Sequence, residues 1–331
     1  MSIGEIFGVA TVVVIILVAW CGMYALHRAA GKRGNRKQDA RIQLRQHAAQ
    51  LDEHHAIHWR YSPTHLRGTI AGWPVAANAM HSLCRSAPVD VFPFPSRDEE
   101  AEMLASWWGI TTSTQLREQL LSLLRNGHRE RFDEERRYWS GLQGAEQRRV
   151  RNSMYQAAQG NEDAAEDFLR FRRVCKNTRD LMSIDFLAWD LVRVIMLSRA
   201  GVTAGLIDED EAVDTALIAS QGLQEQFASW QDMGGHFFRG RWYWASESDT
   251  SEALRAQHDD HAQRVLSTNP GSPWNAVPWQ APLPSPKYLL LDNVRAAPLP
   301  SGSTVAGEWR NRLEREISVG SSSPDQPPLQ L

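Results

Sequence analysis

Apolar residues recur at helical spacing along the middle of this chain, and no other feature of the sequence constrains the fold as strongly. Thr112 and Gln115 have the spacing of a capping box, which begins a helix, and Gly127 follows the end of that helix. The apolar positions between them form one stripe: Leu116, Leu120, Leu123 and Leu124. Before residue 246, no segment alternates apolar and polar residues over a convincing length, as a half-buried β-strand would. The sequence therefore predicts an all-α fold, built as one multi-helix bundle.

Breaks marked by glycine and asparagine divide this region into a series of predicted helices. We expect them at about residues 97–108, 113–126, 129–138, 145–159, 162–176, 179–200, 208–230 and 232–245. The segment 179–200 is apolar around most of its circumference, which predicts a central position in the bundle. Gly201 is expected to end that helix, and Asp208 with Glu211 repeats the capping-box spacing at the start of the next one.

Composition divides the whole chain into four parts. Residues 47–246 are predicted to form one helical domain of about 200 residues, the size of a single domain. Proline and glycine make its first part, 61–95, rich in loops, with room for one short helix at about 76–85. Residues 247–331 are proline-rich, and we expect a largely irregular or disordered tail there. The two remaining parts, 6–26 and 27–46, precede the domain.

The segment 6–26 is an uncharged apolar run from Ile6 to Leu26. Its 21 residues would form roughly 31 Å of helix, which is enough to cross the hydrocarbon core of a bilayer. Met1 to Gly8 contains no Lys or Arg, which argues against a cleaved signal peptide. The stalk 27–46 is basic, at Arg28, Lys32, Arg33, Arg36 and Lys37 among others. By the positive-inside rule, the sequence predicts a single-pass signal anchor in the inner (plasma) membrane, with a cytoplasmic domain and a flank that contacts membrane lipid.

Charge and motif content argue against several classes of function. The net charge is −3 and many of the cations lie beside the predicted span, so we expect no nucleic-acid partner. The three cysteines include no Cys-x-x-Cys pair, and the chain has no phosphate-binding loop, dinucleotide-binding glycine motif or nucleophile elbow. His54 and His58 are four residues apart, but they lack the glutamate that follows the first histidine in zinc hydrolases. We expect neither a metal nor a cofactor.

Several short motifs follow one another between residues 103 and 246. In chain order they are Trp107-Trp108-Gly109-Ile110, Gly127-His128-Arg129, Ala188-Trp189-Asp190-Leu191-Val192-Arg193, Ala204-Gly205-Leu206-Ile207-Asp208, Phe227-Ala228-Ser229-Trp230 and Gly240-Arg241-Trp242-Tyr243-Trp244. In this order the motifs resemble family 1266 of the bacterial domains of unknown function. The resemblance covers under half of the chain, and the apolar run and the proline-rich tail lie outside it. It implies a helical bacterial domain and no established activity.

One carboxylate and one guanidinium in the apolar part of the predicted central helix have the spacing of an ion pair. Asp190 and Arg193 are three residues apart, so both can point the same way and pair in surroundings of low dielectric constant. Such a pair can be purely structural, because removing one partner of a buried pair costs about 3 to 5 kcal/mol. Ionisable groups with perturbed pKa values also mark active sites, so a catalytic role for this pair stays open.

Further polar and aromatic residues lie near the end of the predicted bundle. His236 is the third catalytic candidate, and it could join Asp190, Arg193 and Arg239 in a cluster that holds an anion or a phosphate. The candidates for ligand binding are Arg239, Arg241, Trp230 and Trp242. The alternative is that these arginines neutralise carboxylates such as Asp208 or Asp232 at helix ends.

These features predict a membrane-anchored helical module that binds or scaffolds a protein partner. One alternative is an enzyme that acts on an anionic substrate through the cluster of Asp190, Arg193, His236 and Arg239; another is an immunity or accessory protein of a toxin or secretion locus. Geometry separates binding from catalysis. Convergence of Asp190, Arg193 and His236 in a water-accessible pocket would favour catalysis, whereas an Asp190–Arg193 pair beneath tryptophans would favour binding. The sequence leaves open whether the protein is an enzyme.

Overall fold

The computed structural model of the chain describes residues 56–244, 249–294, 311 and 313–316. The regular elements within these residues are all helical, which confirms the prediction of an all-α fold. None of the helices in this part of the chain is long and apolar enough to cross a membrane. The predicted span at 6–26 and the stalk at 27–46, with Arg28, Lys32, Arg33, Arg36 and Lys37, lie outside the described residues.

Three short helices occupy the segment 61–95, where the sequence predicts only one. They are α1 (Pro63–Arg67), α2 (Gly72–Ala77) and α3 (Ala79–Cys84). Pro63 opens α1, where its fixed φ and missing N–H are tolerated. Asn78 separates α2 from α3, and its side chain donates to the carbonyl of Val192 at 3.2 Å, which ties this segment to the central helix.

Longer helices follow from residue 97 to residue 244. The first five are α4 (Arg97–Trp108), α5 (Ser113–Arg125), α6 (Arg129–Gly141), α7 (Gly144–Ala157) and α8 (Glu162–Lys176). A 3₁₀ helix (Thr178–Ser183) then leads to α9 (Leu187–Ala204), α10 (Glu209–Gln226) and α11 (Trp230–Trp244). The bounds lie close to those predicted, except that a 3₁₀ helix and a break replace the first part of the expected helix 179–200.

Local capping explains where several of these helices begin and end. The hydroxyl of Thr112 accepts from the backbone N–H of Gln115 at 3.3 Å, and the Gln115 side chain accepts from the N–H of Thr112 at 3.1 Å, so the predicted capping box is present. Asp208 accepts from the N–H of Glu211 at 2.8 Å and caps α10 in the same way. Gly109 ends α4 with φ +66°, a conformation that favours glycine.

The helix α9 is the centre of the bundle, as its all-round apolar sequence predicts. Every residue of α9 is buried except Val202 and Thr203, and α10, α4, α5 and α11 pack around it. Gly201 does not end this helix, which continues to Ala204 and ends at Gly205 with φ +78°. A Cβ at position 201 would overlap the side chain of Leu116, so this glycine serves the close approach of α5.

The prediction of a largely irregular segment after residue 246 is wrong for residues 249–294. They contain α12 (Asp249–Thr268), α13 (Pro273–Ala276) and α14 (Leu289–Asn293). The sequence of α12 is mostly polar, and only a narrow stripe that includes Ala262 and Leu266 is buried. Its position depends on tertiary contacts, above all the ion pair between Arg241 of α11 and the fully buried Asp259.

The proline-rich residues 277–288, between α13 and α14, lie against the bundle as an extended strap. The carbonyl of Trp279 accepts from the indole N–H of Trp73 at 3.1 Å and from the Gln224 side chain at 2.6 Å. Asp214 of α10 accepts from the backbone N–H of Leu289 at 2.8 Å, where α14 begins. The packed domain therefore extends to residue 294 and includes the first part of the predicted tail.

Candidate functional site

Asp190 lies in the first turn of α9 and is fully buried. Its Oδ1 accepts from the backbone N–H of His128 at 3.0 Å, and its Oδ2 accepts from the N–H of Arg129 at 3.1 Å. These two N–H groups stand at the start of α6, where helical backbone leaves donors without partners. The carboxylate therefore caps a helix that is far away in the sequence, in the place that favours negative charge.

The Arg129 side chain joins Asp190 to the end of the preceding helix. Its Nη1 donates to Oδ2 of Asp190 at 2.9 Å and to the carbonyl of Leu123 at 2.8 Å. Its Nη2 donates to the carbonyl of Leu124 at 2.8 Å and also reaches that of Arg125. One guanidinium thus satisfies carbonyl groups at the C-terminal end of α5 and pairs with a buried carboxylate.

Arg193 completes a group that we call the Asp190 cluster: Asp190, His128, Arg129 and Arg193. Its Nη2 donates to Oδ1 of Asp190 at 2.6 Å and to Nδ1 of His128 at 2.8 Å, and its Nε donates to the carbonyl of Trp189 at 2.9 Å. The guanidinium carbon lies 4.4 Å from the centre of the Trp189 ring and 5.6 Å from that of Trp108. The pair is therefore present and lies between tryptophans.

Burial and pairing act in opposite directions on the charges of this cluster. Burial alone would raise the pKa of Asp190, but hydrogen bonding by His128 and the charges of Arg193 and Arg129 outweigh it, so this pKa lies below its usual value. Burial lowers the pKa of Arg193 to about 10, which leaves the guanidinium charged at neutral pH. Burial also lowers the pKa of His128, which favours the neutral ring beside the guanidinium of Arg193.

Gly127 brings the backbone close to the carboxylate of Asp190. It has φ +60°, and a Cβ at this position would overlap the carboxylate of Asp190. The motif Gly127-His128-Arg129 therefore has a local explanation. Glycine allows the close approach, and the next two residues supply the N–H groups that bind the carboxylate.

The other members of the predicted catalytic cluster have different neighbours. Nδ1 of His236 accepts from the backbone N–H of Asp185 at 2.7 Å, and the ring packs on Phe227. Arg239 donates to the carbonyl of Asp180 at 3.3 Å and to the hydroxyl of Ser183 at 3.2 Å. The structure therefore brings Asp190 together with Arg193 but places His236 and Arg239 at the 3₁₀ helix and the loop after it.

Two of the ligand-binding candidates are engaged in the interior. The indole N–H of Trp230 donates to the carbonyl of Val277 at 2.8 Å, and its ring stacks on that of Trp274. Arg241 pairs with Asp259 and also reaches Nδ1 of His258 at 3.4 Å. Arg241 thus neutralises a carboxylate, as the alternative interpretation expects, although its partner belongs to the unpredicted helix α12.

Trp242 is different, because it lines a pocket of about 370 Å³. We call this the basic pocket. Its lining residues come from α8, the 3₁₀ helix, α11 and α12, and they are Leu169, Arg172, Arg173, Lys176, Thr178, Arg179, Trp242, Ala253 and Ala256. Four of these side chains are cations.

Sequence reasoning missed both the partners of Asp190 and the cations of this pocket. His128 and Arg129 are about 60 residues from Asp190 in the chain, and no local spacing relates them to it. The pocket had a weak local signal, since Arg172, Lys176 and Arg179 follow at helical intervals of four and three residues. That signal is hard to distinguish from an ordinary solvated face.

Comparison with known proteins identifies the family and nothing more. No curated protein and no solved structure matches the chain. The family described as "Protein of unknown function (DUF1266)" matches residues 103–279, which is more than half of the 331 residues. The match includes the Asp190 cluster and continues through α12 and α13 to Trp279, beyond the end at 246 expected from the motifs. The chain belongs to the DUF1266 family of proteins of unknown function.

Proposed function

We propose that this protein is a binding module that a single N-terminal span holds at the membrane, and that it engages a protein partner through Trp107. The observation that carries the proposal is the exposure of this side chain, which is 82%. Tryptophan is the residue type most enriched where interfaces concentrate their binding energy, because its large ring loses much apolar surface to water-free contact. An indole left in solvent is therefore a candidate anchor for a partner.

The position of Trp107 supports this role because the helix that carries it is packed into the bundle. It stands in the last turn of α4, between the fully buried Leu104 and the end of the helix at Gly109. The neighbouring Trp108 lies over the guanidinium of Arg193, which is fixed by its pair with Asp190. The backbone that presents Trp107 is therefore already ordered, and binding has to fix only the rotamer of the side chain.

The Asp190 cluster itself supports binding over catalysis. Both carboxylate oxygens of Asp190 are occupied by donors from the protein, and the side chain is inaccessible to solvent. His236, which would have to act with it, is bonded to the backbone of Asp185. A general acid or base has to reach the proton that it transfers, within about 3 Å or through one water. Asp190 is better suited to hold helices together and to fix Arg193, which lies against the ring of Trp108.

The membrane location rests on the apolar run 6–26 and its basic flank. It is tested by fusing two reporters, in separate strains, after Leu331. We expect a fluorescent protein that matures in the cytoplasm to be bright at the membrane and a phosphatase active only in the periplasm to be silent. Phosphatase activity would show that the orientation is the opposite of the one proposed. Fluorescence in the soluble fraction would contradict the proposed membrane anchor.

The partner is tested by photo-crosslinking in cells that produce the full-length chain. A photoreactive amino acid at position 107 is compared with the same residue at position 138, where Tyr138 of α6 is also an exposed aromatic, at 58%. We expect a discrete protein adduct from position 107 and none of that mass from position 138. Absence of a protein adduct at 107, the same adducts at both positions, or labelling of lipid alone would contradict a protein partner at this surface.

A further inference from the structure

The basic pocket begins with one face of α8. Arg172, Arg173 and Lys176 stand three, four and seven residues after Leu169, so these four side chains share one side of the helix. The apolar Leu169 is buried, whereas Lys176 at the end of the helix is exposed. Lys176 makes no ion pair with any residue that the structure describes. Regular helix geometry thus places three cations on one side of α8, of which Arg173 is buried and Lys176 is exposed.

The 3₁₀ segment after α8 adds the fourth cation, at a turn where left-handed backbone at Arg179 and Asp180 interrupts the helix. Asn177, Arg179 and Asp180 have φ of +46°, +58° and +55°, in the left-handed region that Asn and Asp tolerate better than Arg does. Arg179 is carried on this turn and lines the pocket. The turn is held by the Asn177 side chain, which accepts from the N–H of Met182 at 2.7 Å, and by Arg239, which donates to the carbonyl of Asp180. Unusual backbone of this kind is retained where surrounding contacts enforce it, and it clusters at functional sites.

Trp242 forms an apolar wall against which two of the guanidinium groups are fixed. It is 1% exposed, and the guanidinium carbons of Arg173 and Arg179 lie 4.7 and 5.5 Å from its ring centre. Arg173 also donates to the carbonyl of Tyr243 at 2.6 Å. Cation–π contacts and a backbone hydrogen bond therefore hold the guanidinium groups in place before any ligand arrives.

The charge of the pocket indicates the class of ligand. Four lining side chains are cations, and none of the lining residues that the structure describes is an acid. Asp260 pairs with Arg179 from a side chain that is 58% exposed, where water weakens its field. The indole ring of Trp242 is already covered, so a nucleobase has no face to stack on. A compact anion with several charges can add to the contacts that Arg172 and Arg179 already make, and planar guanidinium groups suit phosphate oxygens.

We infer that the basic pocket binds a phosphate-bearing polyanion through Arg172, Lys176 and Arg179. Arg173 is only 2% exposed and adds positive charge from the interior, and the Trp242 wall holds Arg173 and Arg179 in position. Such a group could come from a soluble phosphorylated compound or from the headgroup of an anionic lipid. The recognising chemistry is the same in both cases. The inference does not depend on Trp107 or on the protein partner proposed above, because the two surfaces share no residue.

The test titrates inorganic pyrophosphate into the full-length chain, reconstituted in nanodiscs of phosphatidylcholine, by isothermal calorimetry. We expect saturable binding of one pyrophosphate per chain that weakens as sodium chloride is raised. Lys176→Gln and Arg179→Gln should each weaken binding about tenfold, the loss typical of one charge-assisted hydrogen bond, and Lys176→Glu should abolish it. Lys176 is exposed at a helix end, so its variants are expected to fold normally, which circular dichroism verifies.

Arg148→Gln is the matched control, because Arg148 is an exposed cation on α7 and does not line the pocket. It should leave binding unchanged. The inference is overturned if no saturable binding is seen, or if Arg148→Gln weakens binding as much as Lys176→Gln does. Repeating the titration in nanodiscs that contain phosphatidylglycerol identifies the source of the ligand. If phosphatidylglycerol weakens pyrophosphate binding, and does so only when Lys176 is present, the natural ligand is a lipid headgroup. If the affinity for pyrophosphate is unchanged, the ligand is a soluble phosphate compound.

Discussion

At the scale of single residues, Asp190 connects three helices. Its backbone belongs to α9, its carboxylate caps the start of α6, and through Arg129 it reaches the carbonyl groups at the end of α5. The i, i+3 spacing of Asp190 and Arg193 predicted that the two could pair, because that relation is local. Their partners His128 and Arg129 were not predicted, since their contact with α9 depends on how the helices pack.

Replacing Asp190 should therefore destabilise the protein strongly. In Asp190→Ala, Arg129 and Arg193 stay buried without their carboxylate, and we expect the free energy of unfolding to fall by about 3 to 5 kcal/mol. Chemical denaturation of the purified chain measures this loss. Asp210→Ala, at an exposed acid in the first turn of α10, is the control and should change stability by no more than about 0.5 kcal/mol. Equal stability of the two variants would refute the structural role of Asp190.

The pH dependence of stability gives a second prediction at this scale. The pKa of Asp190 is below its usual value in the folded protein, so its contribution is complete above the unfolded-state pKa of about 3.9. That contribution is lost as pH falls from there through the lower folded-state value. The difference in unfolding free energy between wild type and Asp190→Ala should be constant from pH 7 to pH 5 and shrink below about pH 4. A difference that grows on acidification would contradict the assignment.

At the scale of helices, local signals were sufficient where local chemistry determines structure. The capping box at Thr112 and the left-handed glycine at Gly109 are contained in a few residues each, and the central helix α9 is marked by its own apolar circumference. The helix α12 has no such mark. Its mostly polar sequence packs on the domain through tertiary contacts, among them the pair of the buried Asp259 with Arg241 of α11.

This pair yields a prediction for α12 alone. Asp259→Ala leaves Arg241 without its carboxylate, and we expect a loss of about 3 kcal/mol or more. Hydrogen exchange should accelerate in the amides of α12 more than in those of α9, because the pair attaches α12 to the bundle. The adjacent Asp260→Ala is the control, since Asp260 is more than half exposed and its pair with Arg179 is weakened by water. Uniform acceleration in both helices would argue against a local attachment.

At the scale of the whole molecule, residues near the start of the described chain contact residues that follow α12. The indole of Trp59 donates to the carbonyl of Gly271 at 3.0 Å, and the indole of Trp274 donates to that of Ala76 at 3.1 Å. Each contact joins residues about 200 positions apart in the chain. The predicted boundary at 246 was wrong because composition describes each segment in isolation. The packing of these tryptophans depends on contacts between segments that are far apart in the sequence.

A truncation tests this closure. A chain that ends after residue 246 lacks α12 and the strap, which cover Trp230 and the α11 surface, and we expect it to be unfolded or loosely packed. The near-ultraviolet circular dichroism of its tryptophans should collapse, and it should bind a hydrophobic dye. A chain that ends after residue 316 keeps every described residue and should retain the wild-type spectrum. A native-like spectrum from the shorter chain would show that the strap is dispensable.

The contacts of Trp73 with Trp279 and of Trp59 with Gly271 also impose an order on biosynthesis. Translation delivers α1 and α2 first, yet the strap that covers them emerges about 200 residues later, when the chain is almost complete. Closing so long a loop has an entropic cost, and this cost is offset only when the contacts of the complete core have formed. During that interval the nascent chain keeps an open aromatic surface while its N-terminal run has already left the ribosome. This surface should therefore stay open to chaperone binding until residue 279 has emerged.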